Sequence, residues 1–149
     1  MKRTILPILL LSLLLFLVSC SVKYTGFKQD SFSVSYPEWA ASQDKGNDLV
    51  SVQKGACKVD IGIQDSKFDP SSLKIAVDIS IIPALRRAGL SVDIDKLEGN
   101  EAILTLTGAN AYGRQKYIAC DNKLYKVSSA CSKNDPVIDA VINSAKCSV

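Results

Sequence analysis

The sequence predicts a single α+β domain with an antiparallel sheet, and three observations carry that expectation. Short runs alternate apolar and polar residues with period 2 and are separated by turn residues, the pattern of half-buried strands. Two amphipathic segments open on Asp-Pro, at Asp69-Pro70 and Asp135-Pro136, with Asp suited to the N-cap and Pro to the first helical position. The resulting order is three strands, a helix, a four-strand meander and a terminal helix.

Ahead of the domain stands a leader. Lys2 and Arg3 precede an apolar run from Ile5 to Val18, a charged region followed by a hydrophobic one as in secretory signals. As a helix that run would be roughly 21 Å long, short of a hydrocarbon core of about 30 Å, and Pro7 interrupts it. The run ends Leu17-Val18-Ser19-Cys20, which resembles the lipobox of prokaryotic lipoproteins. The resemblance implies cleavage between Ser19 and Cys20 and a diacylglycerol group on the Cys20 sulfur. Two acyl chains, at about 0.8 kcal/mol per buried methylene, anchor durably where one is marginal. The expected divisions are residues 1–19 as signal peptide, 20–30 as a polar, mobile tether, and 31–149 as the domain. Ser21 after the cysteine resembles the default signal for the outer membrane in an organism that has one. The expected location is the extracytoplasmic face of a membrane.

Removing residues 1–19 from the 149 leaves 130, enough for one cored domain. The 18 Lys plus Arg fall to 16 with the loss of Lys2 and Arg3, against 15 Asp plus Glu. A net charge near +1 offers no basic field for nucleic acid. There is no histidine, so the commonest general base and metal ligand is missing. No metal and no cofactor is expected.

The first strand is Phe32, Val34 and Tyr36 alternating with serines; Pro37, which cannot donate to a ladder, ends it, and Trp39 follows to plug one end of the core. Turn chemistry from Gln43 to Asp48 leads to a second strand, Leu49 to Gln53, and Lys54-Gly55 turns into a third. There Cys57, Val59, Ile61 and Ile63 share a face. The helix after Asp69 carries an apolar stripe of Leu73, Ala76, Val77, Ile81, Leu85 and Ala88, which Pro83 should kink or split. The meander runs Val92 to Leu97, Ala102 to Thr107, Arg114 to Cys120 and Leu124 to Cys131, with a loop at 108–113. In the last helix Val137, Ala140, Val141, Ile142 and Ala145 lie largely on one face.

Four cysteines remain after Cys20, an even number in an exported domain, at spacings that match no CxxC motif. Cys120 sits beside a turn and Cys131 far along the returning strand, over about 20 Å away and beyond disulfide reach. A last helix running back would bring Cys147 to the Cys120 end, favouring Cys120–Cys147 and, by remainder, Cys57–Cys131. Cys131–Cys147 with Cys57–Cys120 stays open.

The element order, with Ser35-Tyr36-Pro37-Glu38-Trp39 and Val141-Ile142-Asn143-Ser144, resembles the PsbP-related family, relatives of an extrinsic lumenal protein of photosystem II that include many prokaryotic lipoproteins. The resemblance covers most of residues 27–147 and implies an antiparallel sheet sandwiched between helices. It does not carry a function, because one fold hosts several. Among polar residues, Asp93, Asp95, Glu98 and Glu101 form an acidic hairpin without the spacing of an EF-hand. Lys116 and Lys126 read as surface lysines. Tyr112 and Arg114, beside the 108–113 loop, are candidates to line a ligand cleft. Two classes follow: a non-catalytic, membrane-tethered binding or assembly module with a protein partner in the envelope, or a small-ligand binder or His-free enzyme. No catalytic residue stands out, and the first class is favoured.

Overall fold

In a computed structural model of the chain, residues 21–148 are described; the expected signal peptide, with Ser19, and the expected lipid site Cys20 lie outside them. A seven-stranded antiparallel sheet has the order β3-β4-β5-β9-β8-β7-β6. Its strands are β3 (Ala40–Ala41), β4 (Val50–Lys54), β5 (Cys57–Asp65), β6 (Ser91–Glu98), β7 (Glu101–Gly108), β8 (Ala111–Cys120) and β9 (Lys123–Cys131). A smaller sheet, ordered β1-β2-β10, consists of β1 (Tyr24–Gln29), β2 (Phe32–Pro37) and β10 (Lys146–Cys147). This is a mixed α/β fold in which the expected meander, β6 to β9, forms one side of the large sheet, from the edge strand β6 to the central strand β9.

Two expectations fail here. Residues 24–29 are not tether but strand β1, paired with β2 from Tyr24↔Pro37 to Gln29↔Phe32. Tyr24 and Phe27 are three apart and show no period of 2, so pairing with β2 and the packing of Phe27 on the core make this strand, rather than local preference. Nor is 108–113 a loop. β7 runs through Gly108 and β8 starts at Ala111, leaving a two-residue turn, and Tyr112 pairs with Thr107. The glycines there serve the sheet: a Cβ on Gly113 would lie 2.8 Å from the Ala130 Cβ and 3.0 Å from the Ser129 carbonyl, so the backbones approach as only Gly allows.

The turn between β8 and β9 puts both Asp121 and Asn122 at positive φ, 51° and 57°, the requirement of a tight hairpin that matches strand twist. Asp121 accepts hydrogen bonds from the Ser31 amide and hydroxyl, tying the β1–β2 turn to the β8–β9 turn.

The Asp69 carboxylate caps the Ser71 amide at 3.0 Å, and a 3-10 turn (Pro70–Ser72) leads into α1 (Leu73–Ala76). Five residues of π geometry, Val77–Ile81, separate α1 from α2 (Ile82–Arg87). Pro83 accounts for the break: it has no N–H to donate and its ring crowds the preceding turn, so the helix widens just ahead of it. The last helix, α3 (Pro136–Ser144), starts from Asp135, whose carboxylate accepts from the Val137 amide at 3.0 Å.

The core forms two clusters. The first joins Phe32, Val59, Ile61, Ile118, Tyr125 and Val127 with Ile138, Val141 and Ile142 of α3, and the Phe32 and Tyr125 rings stack at 4.2 Å. Trp39 packs against its edge. The second joins Leu104, Tyr117, Ala119 and Leu124 with Leu73, Val77, Ile81 and Ile82 of the first helical segment. Burial pushes the pKa of the Tyr117 phenol up, and its hydroxyl donates to Gln115 at 2.8 Å. Bridges join Cys57 to Cys131 and Cys120 to Cys147, with Cα–Cα distances of 4.0 and 5.8 Å. These are the favoured pairs: α3 carries the chain back along β9 and delivers Cys147 beside Cys120.

Candidate functional site

The residues suggested for a cleft do not form one. Arg114 points from β8 into a pair of carboxylates: its guanidinium donates to Asp95 at 2.8 Å and to Asp139 of α3 at 2.7 Å. Burial opposes its charge, but these two partners outweigh that and raise its pKa. Tyr112 is half-buried against the first core cluster. Both belong to a strand paired on either side; Arg114 ties α3 to the sheet through Asp139, and neither residue lines the grooves described below.

The acidic hairpin is similarly engaged. Asp95 accepts from Arg114 and from the Thr105 hydroxyl at 2.7 Å. Glu101 takes Lys96 at 2.9 Å on one oxygen and Lys116 at 3.0 Å on the other. Lys116 is no surface lysine: it is 5% exposed, and its ammonium also donates to the Ala145 carbonyl at 2.6 Å. The strand pattern misplaced it because α3 and the residues after it cover that part of β8, which only the tertiary fold decides. Lys126 is half-buried, 3.9 Å from Asp48. Sγ atoms of Cys57 and Cys131 lie within 4.8 Å of an Asp135 oxygen, but sulfurs bonded to each other have no thiolate to give a metal.

A concave site does occur elsewhere, in a region the sequence reading passed over. A groove of about 460 Å³ opens between the β1–β2 hairpin and the end of α3, lined by Gly26, Phe27, Lys28, Ser33, Val34, Ser35, Asn143, Ser144 and Lys146. Lys28 and Lys146 flank Ser33 as its partners on either side in the small sheet, while Phe27 and Val34 pack on the first core cluster. Ser144 anchors the rim, since its hydroxyl accepts from the Ser35 amide at 2.9 Å and lies 3.1 Å from the Ser35 carbonyl. Lys28 and Lys146 stand exposed at the mouth, and among the described residues neither is in an ion pair. No carboxylate lines the groove. Its chemistry is therefore that of two cations, a carboxamide and serine hydroxyls, suited to an anionic group. Ser35, Asn143 and Ser144 stand in the two family-like stretches of the sequence, but nothing there joined them, because the groove brings residues 26–35 to 143–146.

The two-sheet α/β arrangement with its terminal helix defines a PsbP-like fold. The solution structure of cyanobacterial PsbP (CyanoP) from Synechocystis sp. PCC 6803 matches with a TM-score of 0.55 and 9% sequence identity, over 85% of this chain and 93% of that one. At that identity the likeness is one of fold. No family model matches the chain, and no curated protein sequence matches it.

Proposed function

We propose that the protein is a lipoprotein held through Cys20 on the extracytoplasmic face of a membrane, the outer one if the organism has two, and that it acts as a non-catalytic binding or assembly module. Its PsbP-like domain is read as a sheet sandwiched between helices, α3 on one face and the α1–α2 segment on the other. The two core clusters support this, because Ile118 and Cys120 belong to one and Tyr117 and Ala119 to the other, and alternate strand residues point to opposite faces.

The observation that carries the functional reading is the groove with Lys28 and Lys146 at its mouth and no carboxylate in its lining. Two ammonium groups left without partners hold an uncompensated charge that an acidic segment of an envelope partner would neutralise. The test is cross-linking in intact membranes from a photoreactive residue introduced at an exposed position outside the groove, comparing wild type with Lys28→Glu/Lys146→Glu. Loss of the cross-linked partner in the double variant, but not in Lys45→Glu, is the expected result; equal yields in all three would refute it. The groove volume also lies within the range of about 300–1,000 Å³ usual for small-molecule sites, which favours a second reading as a small-anion binder. Saturable binding of a small carboxylate or phosphate by the purified protein, abolished in the same double variant, would select that reading.

A further inference from the structure

We infer that the end of the domain next to Cys20 lies on the lipid surface itself, with Trp39, Val22 and Tyr24 in the headgroup layer and Lys23 and Lys54 beside lipid phosphates. The inference rests on the proposed acylation of Cys20 and adds to it a fixed seating in place of a free tether.

The first reason is that the expected tether is not there. β1 begins at Tyr24, and at no more than about 3.6 Å per residue Val22 lies within roughly 7 Å of the Cys20 Cα. Anything packed against Val22 is therefore held close to the acyl chains. What packs there is an aromatic and cationic patch. Ser21, Val22, Lys23, Glu38, Trp39 and Lys54 line one shallow depression. Its backbone is tied together by the Glu38 amide donating to the Lys23 carbonyl at 2.9 Å, and β3 pairs with β4 beside Trp39 so that Lys54 is near.

The second reason is composition. Val22 and Tyr24 are among the few large apolar residues left exposed, at 43% and 40%. Tryptophan and tyrosine prefer the membrane interface, where an apolar ring and a polar edge are both accommodated. Among the described residues Lys23 and Lys54 are in no ion pair; the depression, with Glu38 as the one acid of its lining, is net positive and complementary to an anionic surface, and Asp135 lies beyond it on the Tyr24 side. The consequence is orientation. Lys28 lies four residues beyond Tyr24 along β1, so at about 3.3 Å per residue a strand running away from the surface would carry the groove up to roughly 13 Å beyond the seated aromatics, towards a partner.

The chain contains a single tryptophan, which makes Trp39 its own reporter. The acylated protein is reconstituted into phosphatidylethanolamine–phosphatidylglycerol vesicles doped with lipid brominated either just below the headgroup or near the chain end. We expect Trp39 fluorescence to be quenched by the shallow label more than by the deep one, and to be shielded from aqueous iodide. Lys23→Gln and Lys54→Gln should each lower the seating equilibrium constant by about fivefold, the effect of roughly one surface lysine, while Lys45→Gln leaves it unchanged. The intact mass of the same sample reports acylation separately. Acylated Cys20 with Trp39 unquenched and open to iodide overturns the seating and leaves the lipoprotein reading standing. An unmodified Cys20 overturns the lipoprotein reading and the seating with it. Shielding of Trp39 only when another envelope protein is present also overturns the seating, and assigns the patch to a protein partner.

Discussion

Replacing Lys116 tests whether the buried cation between β8 and α3 is a structural tie. Its ammonium is held by the Ala145 carbonyl at 2.6 Å, just past the end of α3, and by Glu101 at 3.0 Å on β7. Lys116→Met leaves that carbonyl without its donor and Glu101 with Lys96 alone, which should cost about 1–3 kcal/mol after the gain from burying the thioether. Glu101→Gln leaves the ammonium buried with neutral acceptors only, and should cost about 2–3 kcal/mol. Because the two groups serve each other, the double variant should cost less than the sum by about 1 kcal/mol or more. The assay is urea unfolding at neutral pH, read as midpoint shifts at constant m-value.

The same pair makes a pH prediction. Burial pushes the pKa of the Glu101 carboxyl up, but hydrogen bonds and charge from Lys96 and Lys116 outweigh it and hold it below its ordinary 4.5. A carboxyl with a lowered folded pKa stabilises fully above its unfolded value, and that contribution disappears as pH falls through the folded one. Wild type should therefore lose stability relative to Glu101→Gln below about pH 4.5. Additive costs within about 0.5 kcal/mol, together with a pH-independent difference between the two proteins, would refute the coupling.

Two further outcomes follow from the geometry. The bridges close loops of 27 and 74 residues, so chain entropy puts the loss on replacing both cysteines by alanine at about 3.6 kcal/mol for Cys120–Cys147 and about 4.5 kcal/mol for Cys57–Cys131; thermal unfolding with and without reductant checks the order, and a larger loss for the shorter loop would contradict it. Gly113→Ala forces a methyl group to 2.8 Å from the Ala130 Cβ and should destabilise by about 1–3 kcal/mol, whereas Gly26→Ala, with nothing within 4 Å, should be neutral or slightly stabilising.

How much of this was readable in the chain depends on the range of the force involved. β2 and β5 follow from period-2 alternation, the β6–β7 pair from its turn residues, and both helix starts from Asp-Pro, because side-chain direction, turn chemistry and capping act within a few residues. The even cysteine count, together with the reach of a strand and a returning helix, was enough to favour the pairing. Residues 24–29, by contrast, carry no alternation and became a strand only through β2. Tyr112 and Arg114 looked free beside a supposed loop, yet sheet pairing and two distant carboxylates, Asp95 and Asp139, engage them. Lys116 has the type of a surface residue and the position of a core one.

The sequence by itself determined the α+β class, the element order, the lack of histidine chemistry and the lipobox expectation at Cys20, each from local pattern or composition. The tertiary structure alone decided where polar groups are neutralised and where they are left open. Lys116 and Arg114 are satisfied by residues up to 29 positions away, while Lys28 and Lys146 meet across one groove with no counter-charge. The physical reason is that charge pairing and concavity depend on distances in space, which the chain sets only once both sheets have closed around α3.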